Sequence, residues 1–425
     1  MNIDRLLAQW AQRQRERQDL PLRVRTWNGR DVNLGAEARL TVTLNGPGAL
    51  RHLVGMNLGG LAAAYIEGDL DLEGSVWDAM ALASQMTADA PPSRPRWRLP
   101  RAHSRRVDAE AIRYHYDVSN DFYGLWLDRN MVYSCGYFRT GHEDIHQAQE
   151  QKLDHICRKL MLKPGDRLLD IGCGWGGLIR WATKNYGVRA TGITLSRNQH
   201  EYARERIASE GLADRCEVLF CDYRDLPGEG VYDKIASVGM FEHVGLKNLP
   251  VYFGTARRLL KEGGLMLNHG ITNPESVRSA KGLDAGDFID RYVFPHGELP
   301  SISRTVQEMG REDLEVADVE CLRSHYAQTL MHWVMRLEAN AERARAIAGE
   351  KRYRIWRLYM AACAQNFAQG GVTIHQVLSS KQTGHGLSSL PWTRAHLYHA
   401  EAPRDPAQLR DPESLRVPAQ QSGGL

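Results

Sequence analysis

Residues 168–177, Leu-Leu-Asp-Ile-Gly-Cys-Gly-Trp-Gly-Gly, constrain this chain more than any other stretch. An apolar run reaches Asp170, glycines follow at 172, 174, 176 and 177, and a helical pattern (Leu178, Ile179, Trp181, Ala182) begins at once. Glycines let a turn take positive φ and let a ligand lie against bare backbone. The spacing Gly-x-Gly-x-Gly directly after an Asp differs from the dinucleotide fingerprint, which needs Gly-x-Gly-x-x-Gly before its helix. An ordinary strand–helix turn satisfies the same pattern, so the surroundings must decide.

Those surroundings alternate strand and helix. Between residues 109 and 381, strands are predicted at 167–171, 189–194, 216–221, 234–238 and 264–270, with helix-length segments between them. Such spacing implies a parallel sheet with crossovers. After residue 280, helices dominate the reading. The expected fold is therefore α/β: a Rossmann-like, mostly parallel sheet, with helical insertions and a small N-terminal α+β domain. The domains are read as 1–88, an Arg/Pro-rich linker at 89–106, the catalytic domain at 107–385 and a loosely ordered tail at 386–425. In the first domain an opening helix places Ile3, Leu6, Leu7 and Trp10 on one face, which suits docking on its own domain or on a membrane.

Composition removes several classes. Seven cysteines form no Cys-x-x-Cys pair, which argues against a disulfide framework or a zinc site, so no metal is expected. The longest nearly uncharged apolar stretch, 55–66, is too short to span a bilayer, and the N-terminus has no apolar signal core. These features point to a cytoplasmic protein. Net charge is only +3, yet Arg94, Arg96, Arg98, Arg101, Arg105 and Arg106 occupy one stretch free of acids. That run is either a solvated linker or an attractor for an anionic surface.

Further residues recur where successive strands end. Thr194 follows the second strand, where many methyltransferases carry an acid for the ribose diol, and Gln199 lies one turn into the next helix; both side chains can hydrogen-bond hydroxyls. Asp222 follows the third strand, where it can meet an adenine amino group or cap a turn. Glu242 lies just past the fourth, at the mouth of the crevice where such sheets bind ligands. Together with Asp170 and the glycine turn, this series points to an S-adenosylmethionine site.

The chain also resembles the cyclopropane-fatty-acyl-phospholipid synthases over residues 106–381. The likeness is carried by Tyr114-His-Tyr-Asp-Val-Ser-Asn-Asp-Phe-Tyr, Met131-Val-Tyr-Ser-Cys-Gly-Tyr-Phe, the glycine turn, Val238-Gly-Met-Phe-Glu-His-Val-Gly, Asp290-Arg-Tyr-Val-Phe-Pro-His-Gly-Glu-Leu-Pro-Ser and Ala362-Cys-Ala-Gln-Asn-Phe. The resemblance implies methyl transfer from S-adenosylmethionine to a cis double bond of an unsaturated phospholipid, with bound bicarbonate as the base that allows ring closure. It carries the bicarbonate site to Cys135, Glu242, His269, Ile271 (through backbone) and Tyr326. It carries donor contacts to Tyr133, Ser134, Gly172, Gly174, Gly176, Thr194, Leu195, Gln199, Tyr223 and Arg224. A catalytic cysteine described in the family corresponds to Cys363, which reads physically as a buried structural thiol, because transfer to an alkene needs no covalent enzyme intermediate. Taken singly, His269 also reads as a strand-end histidine and Tyr326 as a helix-face aromatic. The implied partner is the inner face of the membrane, bound peripherally, with no nucleic acid; a homodimer is allowed. The rival expectations are methylation without ring closure, methylation of a soluble amine, and lipid binding without catalysis.

Overall fold

The computed structural model describes residues 3–55, 57–87, 119–274, 298–382 and 390–398. The segments at 114–118 and 290–297, the arginine run and most of the tail lie outside these residues. The described chain forms two units, Met1–Gly386 and Leu387–Leu425.

In the first unit, helix α1 (Ile3–Arg17) precedes a four-stranded sheet of order β2-β1-β3-β4, built from β1 (Leu22–Arg25), β2 (Asp31–Asn33), β3 (Leu40–Leu44) and β4 (Leu70–Glu73). Alternate residues Leu22, Val24, Leu40, Val42 and Leu44 are buried, and Leu7 and Trp10 of α1 are buried in the same cluster. Helices α2 (Leu50–Val54), α3 (Leu58–Glu67) and α4 (Val76–Thr87) complete this region. Asn57 caps α3 by accepting the Gly60 N–H at 3.0 Å.

The large sheet has seven strands in the order β10-β11-β9-β8-β5-β6-β7. Its parallel part comprises β5 (Arg167–Ile171), β6 (Arg189–Thr194), β7 (Cys216–Phe220), β8 (Tyr232–Val238) and β9 (Leu260–Thr272). Strands β5 and β6 are buried almost without alternation, as expected of parallel strands covered on both faces. Helix α5 (Asn120–Gly124) and α6 (Ile145–Lys159) precede β5; α7 (Gly177–Tyr186), α8 (Arg197–Ser209) and α9 (Leu249–Leu259) lie between parallel strands.

Helices dominate the described residues after 280, as expected, but two strands that the sequence did not reveal lie among them. Helix α10 (Ile302–Arg311) leads to β10 (Leu314–Cys321), and α11 (Arg323–Ala339), α12 (Ala341–Ala348) and α13 (Glu350–Gln369) lead to β11 (Thr373–Lys381). Both strands pair antiparallel, β11 on β9 and β10 on β11. Strand β10 carries acids at 315, 318 and 320 on an edge with one face exposed, so its hydrophobic signal is thin.

Helix α13 joins the catalytic sheet's helical cap to the N-terminal sheet. Arg354 donates to the carbonyls of Tyr65 (2.8 Å) and Leu70 (3.1 Å), and Arg357 reaches the Tyr65 hydroxyl (3.1 Å) and the Gly74 carbonyl (3.2 Å). One apolar cluster runs from Leu7 and Val24 through to Trp356 and Phe367. In the second unit, the described residues include a short helix, α14 (Ala395–Tyr398).

Candidate active site

Strand β5 has β6 on one side and β8 on the other, so the chain order reverses at its carboxyl end. Ligands bind doubly wound sheets at such a switch point. A cavity opens there, walled by the segments after β5, β6, β7 and β8 and by residues 131–134.

The glycine turn supplies the floor. Gly172 has φ +81°, and an added Cβ would meet the Met240 side chain at 2.7 Å; the Gly172 and Cys173 N–H groups are tied to the Ile193 carbonyl. Gly174 also has positive φ but faces open space. Of the donor-contact residues expected from sequence, Tyr133, Ser134, Asp170, Gly172, Gly174, Thr194, Leu195, Gln199, Asp222, Tyr223 and Arg224 line this cavity. Gly176 does not. It is the left-handed cap of α7, and its added Cβ would lie 3.1 Å from Ala203.

Several of these side chains are pre-arranged. Thr194 Oγ1 donates to Gln199 Oε1 at 2.8 Å, which leaves the Gln199 amide donors for ligand hydroxyls. Asp222 accepts the Arg224 N–H at 2.9 Å, capping a short 3-10 turn, and its two oxygens hold the Arg224 guanidinium at 2.9 and 2.6 Å. The turn-cap reading of Asp222 is realised, and the residue also borders the cavity. Asp170 is 2% exposed, its Oδ1 has no partner, and burial pushes its carboxyl up to about 7.

Two features of this wall were not singled out in the sequence. Met131 takes a left-handed φ of 57°, held because Asp128 accepts the N–H groups of Asn130 (2.9 Å) and Val132 (2.8 Å). Lys152, on the buried side of α6, is 1% exposed and donates to Ser134 Oγ at 2.8 Å. A lysine in an amphipathic helix ordinarily reads as solvent-facing, so the sequence carried no signal for it.

None of the six residues carried over as catalytic lines this cavity, although Ser134, Met240 and His243, close in sequence to Cys135 and Glu242, do. Glu242 Oε1 accepts the Ile271 N–H at 2.7 Å; Oε2 is buried without a partner, and burial pushes the carboxyl up to about 7. His269 is fully buried on β9, with Nδ1 3.2 Å from Gln376 Nε2 and Nε2 unpartnered; burial holds its pKa well below the usual histidine range. Cys135 Sγ lies 3.8 Å from the Leu322 carbonyl, and burial raises its pKa. Leu322 connects this side to the rest: its carbonyl accepts the Tyr326 N–H at 3.0 Å and its N–H donates to Ile374, the strand partner of Ile271. Cys363 and Tyr326 pack on the same cluster, and burial pushes the Cys363 thiol up to about 12, with the Tyr359 hydroxyl as hydrogen-bond partner.

Aromatic rings crowd this region. Tyr133 lies 5.2 Å from Trp333 and 5.5 Å from Trp126, Trp126 lies 5.3 Å from Trp356, and Tyr326 lies 4.7 Å from Phe367, all between ring centroids. Trp126 and Trp333 are fully buried behind Tyr133, which itself borders the cavity. Aromatic faces exclude water and attract positive charge. Among the described residues no group of His, Cys, Asp and Glu side chains has the arrangement of a metal site, and no helix is long and apolar enough to cross a membrane.

Comparison with known proteins agrees with this geometry. The family model for mycolic acid cyclopropane synthetase matches residues 103–377. The chain is 46% identical over 386 residues to a probable fatty acid methyltransferase of Pseudomonas putida, covering 89% of this chain and 96% of that protein. It is 39% identical over 273 residues to the cyclopropane-fatty-acyl-phospholipid synthase of Escherichia coli K12, covering 64% and 68%. The solved structure of mycolic acid cyclopropane synthase CmaA1 with SAH and CTAB superposes with a TM-score of 0.61 at 34% identity, over 64% of this chain and 98% of that one.

Proposed function

Because this chain belongs to the mycolic acid cyclopropane synthetase family, a group of S-adenosylmethionine-dependent methyltransferases acting on lipids, we propose that it adds a methylene carbon across the cis double bond of an unsaturated phospholipid acyl chain. The observation that carries ring closure is the pair of buried, unpartnered polar atoms Glu242 Oε2 and His269 Nε2, on residues linked through β9, because Glu242 holds the Ile271 N–H two residues after His269. Buried polar groups are normally satisfied, so in our reading these two orphans share a small bound oxyanion.

An isolated alkene is a weak nucleophile, and attack on the methyl donor leaves positive charge on the acyl chain that water would capture. Tyr133, which borders the donor cavity and is backed by the buried rings of Trp126, Trp333 and Trp356, is the aromatic face assigned to that charge. When bound, bicarbonate supplies the base that takes one proton from the added methyl group, so that the ring closes. The residues that fit it are Glu242, whose protonated carboxyl donates to an oxyanion, His269 through Nε2, Cys135, the Tyr326 hydroxyl and the Ile271 backbone. The donor itself is assigned to the cavity over the glycine turn, with Thr194 and Gln199 toward its hydroxyls.

A second reading, methylation without ring closure, is favoured by the name of the 46% identical Pseudomonas putida relative. Both products gain the same mass. Proton NMR of lipid extracts from cells expressing the chain separates them: ring protons with loss of alkene signal support ring closure, and a methyl branch or methylene signal without ring protons overturns it.

The substrate places the enzyme at a bilayer surface, in our reading the inner face of the cytoplasmic membrane, with residues 1–88 and the arginine run as the docking elements. Charge reversal of Arg94, Arg96 and Arg98 should weaken sedimentation with anionic phospholipid vesicles and leave donor affinity intact. Unchanged vesicle binding would remove the arginine run from this role.

A further inference from the structure

We infer that Lys152 is a binding residue for the methyl donor, and that its ammonium, held by Ser134, takes the carboxylate of the donor's amino-acid end while Asp170 faces the ammonium of that same end. The inference rests on the placement of the donor in the cavity over the glycine turn.

Lys152 is almost wholly buried, yet it borders the cavity rather than the solid core. An ammonium carries three donors, and Ser134 Oγ engages one of them at 2.8 Å. Burying a lysine is costly unless an anion accompanies it. The carboxylates whose field reaches Lys152 are Asp128 and Asp170. Asp128 is committed elsewhere, accepting the Asn130 and Val132 N–H groups. Asp170 also borders the cavity, with one oxygen buried and unpartnered. Besides the mutually paired Arg224 and Asp222, the cavity lining therefore holds an ammonium and a carboxyl, Lys152 and Asp170, each incompletely satisfied by the protein.

That pattern matches one part of the donor. Adenine and ribose are neutral, and the sulfonium is positive and gains nothing from a neighbouring ammonium. The amino-acid end is a zwitterion, the only part carrying a carboxylate. A charge-assisted contact to Lys152 and a second to Asp170 would orient this end, and through it the sulfonium, relative to the Tyr133 ring. A purely structural role, in which Lys152 only props Ser134, would help every ligand of the cavity alike.

Isothermal titration of the full chain with two probes separates these roles. S-adenosylhomocysteine carries the zwitterion; 5′-methylthioadenosine keeps the nucleoside thioether and lacks it. In Lys152→Met, affinity for S-adenosylhomocysteine should fall about 30-fold, the scale of a hydrogen bond to a charged group, while that for methylthioadenosine holds within about 3-fold. Lys152→Gln, which keeps a donor for Ser134 without the charge, should show the same selective loss. Parallel loss of both ligands, or no loss of either, overturns the role of Lys152 and leaves the donor's placement standing. Failure of the unaltered protein to bind S-adenosylhomocysteine would overturn that placement and this inference with it.

Discussion

Glu242 holds the backbone N–H of Ile271 with one carboxylate oxygen at 2.7 Å and keeps the other buried without a protein partner. The first contact fixes the side chain against β9; the second oxygen is left for chemistry. Glu242→Gln retains an acceptor for Ile271 and removes the shareable proton. Turnover should fall by about 100-fold or more, the lower range for a positioned acid–base group. Titration with S-adenosylhomocysteine should give the affinity of the unaltered protein. Near-normal turnover would refute the role assigned to Glu242.

The same burial has a thermodynamic consequence. The Glu242 carboxyl is pushed from its ordinary 4.5 up to about 7, so the folded chain binds this proton more tightly than the unfolded one. Stability from this group is present below about pH 4.5 and is lost as pH rises through about 7. The loss is of order 3 kcal/mol at 1.36 kcal/mol per pKa unit. Glu242→Gln should therefore melt higher than the unaltered protein at pH 8, and the gap should close near pH 4.5. Asp170, also raised by burial, has the same sign. Calorimetry showing no gap at pH 8 would contradict a carboxylate buried without compensation.

Two glycines of one turn should respond differently to alanine. Gly172 combines φ +81° with a Cβ position 2.7 Å from the Met240 side chain, whereas Gly174 has φ +56° and nothing within 4 Å of its Cβ. Gly174→Ala should cost about 1–2 kcal/mol of stability, the left-handed penalty alone. Gly172→Ala adds a displacement of Met240, which borders the donor cavity, so binding should weaken as well. Equal effects on S-adenosylhomocysteine affinity would show that Met240 yields without consequence.

Legibility in the sequence followed the range of the interactions. Strands 167–171 and 189–194 were readable because parallel central strands are short apolar runs bounded by turns. Strand β10 was not, because Asp318 and Glu320, which suggest solvent, pair with the buried Lys159 at 3.5 and 2.6 Å. The donor cavity was legible through the residues that end each parallel strand. Its other wall was not: Lys152 owes its burial to tertiary packing, and Tyr133 is backed by a buried cluster that joins Trp126 to Trp333 and Trp356, more than two hundred residues away. Gly176 was read with the donor contacts because a spacing pattern does not separate a glycine that faces a ligand from one that caps a helix.

Cys363 sits one helical turn after Tyr359 on α13, and burial together with that neighbour leaves its thiol at about 12. A nucleophilic cysteine needs a substantial thiolate fraction near neutral pH, which an electropositive or hydrogen-bonded site provides by lowering the pKa. Burial here does the opposite, and attack by an alkene on a methyl donor needs no enzyme thiolate. Cys363→Ala should retain turnover within about tenfold and cost at most about 1 kcal/mol of stability for the small, partly buried group removed. Turnover, melting temperature and S-adenosylhomocysteine affinity measured on one preparation decide it. Loss of turnover with the other two intact would give the thiol a chemical role that its surroundings do not support.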